Sequence, residues 1–414
     1  MQIKKSKQKK ILIIGSSLYS SLLANTLGKN NQIYISTSKN KNLGSFESVK
    51  IKNYKLNNGF HAIDLPRTKG FFNFLKKNGI KFFLRKKIHK IMIEKNIMNL
   101  HEDLNNWPKE LIKNLKKNFK IKNNFKLSDY VKRDLLKIFL ICSKRFSDNF
   151  EDCKHLFIPW FLPRDYKFET NDEGYNFRKN VSLNKTKHTY AVPISKLFSS
   201  IQKRLNEILF YNENINFLFK SKINFDKKEI ILSDNSVIKL DQFDKIIYGE
   251  NFLLLLFYNK KNYVKKLFKN KRYLFNILLL VNNKLSFTEI ICMNSKIPNL
   301  NRISVFKSLK NKTILQLEIL SDNSKITNND LSKIKLELRN IFKLSETPKL
   351  IGYKNTRTIF SSSKKFKERS IKIIKSWLKK NKIKMNVNYD YDGPINMAKS
   401  WNFSKEMVQK LNMK

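Results

Sequence analysis

A short apolar strand that ends in glycine and passes straight into a helix, with a second strand after it, predicts an α/β fold built on a parallel sheet with helices. Two further observations extend that expectation. Short strands and a hairpin signal between residues 215 and 240 lead to another buried strand at 244–248, and alternating stretches between 274 and 320 read as a separate, inserted α+β domain. With 414 residues, 41% of them apolar and 12% aromatic, the chain can bury a large core and divide into two domains.

Residues 11–14 run Ile-Leu-Ile-Ile without a polar partner, as a strand covered on both faces does. Residues 15–20 then read as a tight turn, 21–27 as a helix and 32–36 as the second strand. A turn at Gly59, Phe60 and His61 precedes a helix through Phe71, Phe74 and Leu75. From 84 to about 159 the pattern is mostly helical with basic faces. Residues 195–209 form a helix through Leu197, Ile201 and Leu205, followed by strands at 215–219, 222–225 and 229–232. Ser233-Asp234-Asn235 is a hairpin turn with its return strand at 236–240, and residues 249–251 turn into an apolar helix at 252–257. In the second sheet the clearest strands are 273–281, 303–306 and 314–320. Residues 364–380 form a basic amphipathic helix with Ile371, Ile374 and Leu378 along one side, which suits packing on the sheet or lying on a membrane surface. A turn-rich stretch at 388–393 leads to a helix over 394–411 with Pro394 in its first turn.

The 84 Lys+Arg against 33 Asp+Glu give a formal charge of +51. Clustered cations would point to a polyanionic partner through counterion release, but these are spread along the chain among Asn, Ile and Phe, as in an AT-biased composition. No RNA-binding or zinc-finger signature accompanies them, so no specific nucleic acid is expected as a partner. Cys142, Cys153 and Cys292 stand far apart and form no C-x-x-C pair, which suggests neither a disulfide framework nor a structural zinc site and fits a reducing cytoplasm. His89, His101, His155 and His188 show no ligand spacing, and no metal site is expected. The apolar run after the basic start stops after four residues, and no stretch approaches the 18 or so apolar residues of a spanning helix. The expectation is a soluble, cytoplasmic protein without a transmembrane segment, with weak membrane-surface association as the alternative.

Where a strand ends in glycine and a helix begins, unpaired N–H groups and the positive end of the helix dipole converge on one point, which suits a diphosphate. The dinucleotide fingerprint is G-x-G-x-x-G with an acidic residue some twenty positions on. Here Gly15-Ser16-Ser17-Leu18-Tyr19-Ser20 keeps the first glycine, and the second strand ends in Ser36 and Thr37, whose hydroxyls stand where the ribose carboxylate would be.

The order of the remaining segments resembles the FAD-dependent amine oxidase, protoporphyrinogen oxidase and UDP-galactopyranose mutase superfamily over most of the chain. Leu43-Gly44-Ser45 is similar to its L-G-G turn, and Asn57-Asn58-Gly59-Phe60-His61 to its flavin-facing G-x-H turn. Tyr190-Ala191-Val192-Pro193 stands where those proteins carry Y-P-x-G-G. Asn301-Arg302-Ile303-Ser304 with Leu317-Glu318 resembles an R-x-S…E pattern, and Tyr389-Asp390-Tyr391-Asp392-Gly393-Pro394-Ile395-Asn396-Met397-Ala398 resembles the closing flavin motif. The resemblance implies a Rossmann-like FAD-binding domain from residues 1–75, 191–260 and 361–414, a mostly helical substrate or cap region at 76–190 and a substrate-domain sheet at 261–360. It implies FAD contacts at Gly15, Ser16, Ser17, Leu18, Ser36, Thr37, Gly44, Ser45, Ile223, Asp390, Gly393, Pro394, Ile395 and Asn396. His61 is read either as a turn residue bonded to main chain or as lying by the flavin. Arg302 and Arg357 are the candidates for gripping an anionic substrate, because a guanidinium fork matches carboxylate and phosphate oxygens; the alternative for both is a solvated surface charge.

Three functions remain open on these grounds. The first is an FAD-dependent oxidoreductase or flavin-dependent isomerase acting on a small molecule, with an anionic sugar nucleotide in surface polysaccharide metabolism as one option. The second is a non-catalytic relative that keeps the fold as a binding module. The third is a basic polyanion- or membrane-associating protein.

Overall fold

The computed structural model of the chain describes residues 8–39, 48–57, 63–86, 89–94, 96–99, 109, 189–259, 271–295, 300–360, 364–390 and 397–412. Two sheets dominate it. The first has five parallel strands in the order Ile215–Phe219, Gln32–Thr37, Lys10–Ile14, Lys245–Tyr248, Met385–Val387. The uniformly apolar run at 11–14 is explained by its place in the centre of that sheet. Ile11 and Ile13 point to one face, where they meet Tyr19, Leu23 and Leu27 of the helix Leu18–Leu27 and Met407 and Leu411 of the helix Met397–Asn412. Leu12 and Ile14 point to the other, against Ile230 of a three-stranded antiparallel sheet, the adjoining Phe225 and Leu240, and Ile374, Trp377 and Leu378 of the helix Lys364–Lys380. The apolar side of that basic helix is thus spent on the core, the first of the two fates its pattern allows. Among the described residues no helix is long and apolar enough to cross a membrane.

The second sheet has seven strands in the order Lys349–Phe360, Lys271–Val281, Thr313–Ser321, Leu300–Ser308, Glu289–Ser295, His89–Glu94, Asn96–Asn99. Its pairings are antiparallel except where Glu289–Ser295 runs parallel to His89–Glu94. Strand periodicity sorts its two faces. Phe275, Ile277, Leu279, Leu315, Leu317 and Ile319 lie under Leu331, Ile334 and Leu338 of the helix Asn328–Phe342. The opposite face carries Asn276, Gln316, Glu318, Arg302 and Ser304, cross-strand neighbours by register.

The helical reading from residue 84 onward needs correction in its described part. Phe82–Lys86, His89–Glu94 and Asn96–Asn99 are strands. Lysine and histidine break their apolar alternation in sequence, and pairing with Thr189–Pro193 and Glu289–Ser295 decides their conformation. Residues 110–188 lie outside the described residues.

Leu317 is fully buried beneath the helix Asn328–Phe342. Leu317→Ala is expected to destabilise the protein by about 2–5 kcal/mol, read as a lower denaturant midpoint at unchanged slope. Truncating the exposed Leu336 of the same helix should cost well under that.

Candidate functional site

All five strands of the first sheet run parallel, so their carboxyl ends share one edge, where ligands of open α/β sheets bind. The register brings Ile14, Ser36, Tyr248 and Val387 level at that edge. The first strand turns there at Gly15, whose φ of +123° is open to glycine alone. The Gly15 N–H stays in the ladder, donating to Ser36 O at 2.8 Å. The chain then enters the helix Leu18–Leu27, with Ser17 as its N-cap: the Ser17 Oγ accepts the Ser20 N–H at 3.2 Å.

An anionic oxygen already lies at this turn. Glu250, two residues beyond the strand Lys245–Tyr248, places its Oε1 on the Ser16 N–H and lies 3.5 Å from the Ser16 Oγ; the Ser17 main chain contributes to the same carboxyl. Gly249 sets the reach. Its carbonyl accepts the Ser17 and Ser20 hydroxyls, and its N–H donates to Ile14 O at 2.8 Å. A Cβ on Gly249 would stand 2.2 Å from the Ser20 Oγ. Loss of water pushes the Glu250 carboxyl above its ordinary pKa, against the opposing pull of the Ser16 N–H and of Lys39 at the end of the second strand. Burial, with the Glu250 charge added to it, keeps the neighbouring Tyr248 phenol well above its usual range, so it is neutral.

The other expected contacts fall in different places. The Ser36 hydroxyl, buried, shares a hydrogen bond of 2.8 Å with Ser221 Oγ, and the Thr37 Oγ1 accepts the Lys39 N–H at 3.2 Å. Ser221 escaped the sequence reading; its only signal is its position two residues after the edge strand Ile215–Phe219. Ile223 sits in Lys222–Asn224, an edge strand paired on one side with Glu229–Ile231, so the other side of its main chain is outside the ladder. Leu18 is buried in the cluster that also holds Met397 and Phe71, which brings the start of the last helix to the start of the first. Asp390 is exposed and lies 3.8 Å from Lys367. His61, Gly44, Ser45, Gly393, Pro394, Ile395 and Asn396 lie outside the described residues.

Arg302 is not a solvated charge. Its guanidinium grips Glu318 with two bonds, Nη2 to Oε1 at 2.6 Å and Nε to Oε2 at 3.1 Å, and lies 3.5 Å from Glu289 Oε2. Asn301 adds a bond of 3.2 Å to the same Glu318. Burial alone would lower the pKa of Arg302, but the two glutamates outweigh it and raise it. The fork expected to hold a substrate anion is therefore committed to carboxylates of its own sheet. Arg357 stands opposite Leu274 in the edge strand Lys349–Phe360. Beside this ion cluster runs a polar row that the sequence reading missed. The Gln316 Nε2 donates to Asn276 Oδ1 at 2.6 Å, and Asn276 Nδ2 to Thr356 Oγ1 at 2.7 Å. Gln316 also approaches Asn57 O at 3.4 Å, and the Asn57 side chain in turn bonds Lys196 O and the Phe198 N–H. Asn57, four residues before His61, thus ties the polar face of the large sheet to the segment entering the helix Ser199–Phe210.

No family model matches the chain. A search of curated proteins likewise finds no match. Solved structures do match over nearly the full length. Reduced UDP-galactopyranose mutase is 13% identical with a TM-score of 0.65, covering 98% of this chain and 96% of that one. A putative protoporphyrinogen oxidase from Exiguobacterium sp. 255-15 is 9% identical with a TM-score of 0.62, covering 98% and 99%. A fatty acid isomerase from P. acnes is 12% identical with a TM-score of 0.57, covering 99% of each. The resemblance expected from the sequence, to the FAD amine-oxidase-like superfamily, holds for the fold.

Two outcomes follow from the buried charges. Arg302→Met removes the guanidinium from between Glu289 and Glu318 and is expected to cost about 3–5 kcal/mol, measured by denaturation near neutral pH. For Glu250 the folded pKa is raised, so the unfolded chain releases its proton first and stability falls as pH climbs through and above the ordinary carboxylate range. Glu250→Gln lacks this component. The stability of Glu250→Gln relative to wild type should grow with pH across that window, and a difference flat in pH would refute the burial of the carboxyl.

Proposed function

We propose that the chain is a flavin-adenine-dinucleotide protein of the oxidoreductase or isomerase kind, acting on a small molecule held between the dinucleotide sheet and the polar face of the seven-stranded sheet. The observation that carries this reading is the Gly15 turn: a glycine at φ +123°, a capped helix start and main-chain donors at Ser16 and Ser17 already holding a carboxylate oxygen. Donors that hold a carboxylate suit a phosphate oxygen equally well, so the residues present fit the diphosphate.

In this reading Gly15, Ser16 and Ser17 hold the diphosphate, with Lys39 as the nearby cation. Ser36 and Thr37 attend the ribose through hydroxyls where a carboxylate is more usual, and the open main-chain side of Ile223 faces the adenine. Residues 1–75, 191–260 and 361–414 form the cofactor domain, and 76–190 with 261–360 form the substrate side. When bound, the flavin supplies the electron chemistry. On the substrate side Asn276, Gln316 and Thr356 form a row of amide and hydroxyl groups whose mutual bonds fix their direction, with Asn276 and Gln316 buried beneath the face that a substrate would meet. An anionic group on the substrate, as in a sugar nucleotide, falls to Arg357, since Arg302 is held by Glu318 and Glu289.

A second reading draws on Glu250. A turn that satisfies its donors with the chain's own carboxylate suits a member that keeps the architecture as a binding module and has given up the flavin.

Purified protein separates the two. The flavin reading expects a visible flavin band that co-elutes with the protein on gel filtration, either as isolated or after incubation with FAD, and expects Gly15→Ala to lose it, because the turn needs φ +123°, a backbone closed to alanine. Absence of the band after reconstitution favours the binding module.

A further inference from the structure

We propose that Glu250 is a built-in occupant of the anion place at the Gly15 turn, an intramolecular carboxylate that the diphosphate of a dinucleotide displaces when it binds. The proposal rests on the cofactor reading above and adds to it the residue that controls entry.

Four features of the geometry bear on it. The carboxylate is held by the donors a diphosphate would use, the Ser16 N–H and hydroxyl and the Ser17 main chain. The room it fills exists because residue 15 lacks a Cβ: the three atoms nearest an added Cβ are Glu250 Cγ at 2.3 Å, Oε1 at 2.8 Å and Cδ at 2.9 Å. In the dinucleotide fingerprint such missing side chains make way for the cofactor's backbone; here a side chain enters from the neighbouring parallel strand. The approach is fixed, because Gly249 is locked between Ile14 O and the hydroxyls of Ser17 and Ser20. Finally, Glu250 as a residue is only partly buried, its carboxyl being the part held inside.

Two anions do not share one set of donors: each repels the other, and the donors satisfy one of them at a time. The ligand-free chain therefore keeps the turn closed by Glu250, and a dinucleotide binds by exchanging its phosphate for the carboxylate. Lys39, the cation already attracted to Glu250, serves either occupant. The exchange lowers the apparent affinity of the cofactor by the fraction of chains in which the turn is open, which makes Glu250 a regulator of loading.

The test is a titration of ligand-stripped wild type, Glu250→Ala and Glu250→Gln with FAD, followed by flavin fluorescence, and with ADP and adenosine, followed by calorimetry. Glu250→Ala is expected to bind FAD and ADP about tenfold or more tightly than wild type. Glu250→Gln moves in the same direction by less, since its amide oxygen still accepts the Ser16 N–H without a charge. Adenosine, which has no phosphate, binds all three alike. Equal FAD and ADP affinities in wild type and both variants overturn the displacement while leaving the cofactor reading standing. Failure of all three to hold FAD or ADP removes the cofactor reading and this proposal with it. Should Glu250→Ala not fold, the near-isosteric Glu250→Gln decides the direction.

Discussion

The way the first strand ends constrains everything near the site. A central strand buried on both faces has its donors and acceptors consumed by two parallel neighbours, so its chain can leave the sheet only at its tip. At Gly15 the last ladder bond, to Ser36 O, is made by the residue that also turns the chain through φ +123°. The next donors, at Ser16 and Ser17, are the first that the sheet does not use. Because every other strand is parallel, the tips of Gln32–Thr37, Lys245–Tyr248 and Met385–Val387 arrive at the same edge. The site is thus a consequence of topology, and the side chains around it decide what fills it.

The composition explains why the fingerprint looks worn while the turn is intact. The chain has only 10 glycines in 414 residues. Lysine stands at many of its left-handed positions, among them Lys52, Lys196, Lys220, Lys228, Lys343 and Lys382, all with φ between 49° and 60°. Lys343 closes the helix Asn328–Phe342 in the place glycine commonly takes. A φ near 50° costs an ordinary side chain about 1 kcal/mol, which a lysine-rich chain absorbs. A φ of +123° is a different matter. No lysine reaches it, and Gly15 is the one fingerprint position where the backbone leaves no alternative. At positions 17 and 20 the serines make bonds that glycine could not, to the Gly249 carbonyl, which stitches the helix start to the neighbouring strand.

The dinucleotide half of the fold was legible because its signals are local and strong. Four consecutive apolar residues, a glycine and a helix gave the first strand and crossover, and the hairpin at Ser233 to Asn235 gave the three-stranded sheet. The second half was legible only in part. The helix Asn328–Phe342 went unread although Thr327 and Asp330 form a capping box ahead of Leu331, Ile334 and Leu338, a spacing that marks a buried helix face. The strands Phe82–Lys86 and His89–Glu94 were hidden by their lysines, since what makes them strands is a partner roughly a hundred or more residues away. In the site itself Gly15, Ser16 and Ser17 were readable from the strand-turn-helix pattern. Arg302 was expected either to grip a substrate anion or to be a solvated charge; its pairing with Glu289 and Glu318 depends on the register of three strands, which no single segment encodes.

Glu250 was the least legible residue of all, and for an instructive physical reason. It lies 234 positions from Ser16 and in sequence looks like one polar residue in a turn before an apolar helix. Its role appears only when the two parallel strands are side by side. A buried anion needs donors, and helix-start donors need an anion or water; each solves the other's problem. The same pairing keeps the Ser16 and Ser17 donors pointed at a common oxygen. A ligand that replaces the carboxylate finds them already oriented and gives up only the cost of releasing Glu250 to solvent. An apolar plug at that position would have removed water without aiming the donors, and would have closed the turn to any phosphate.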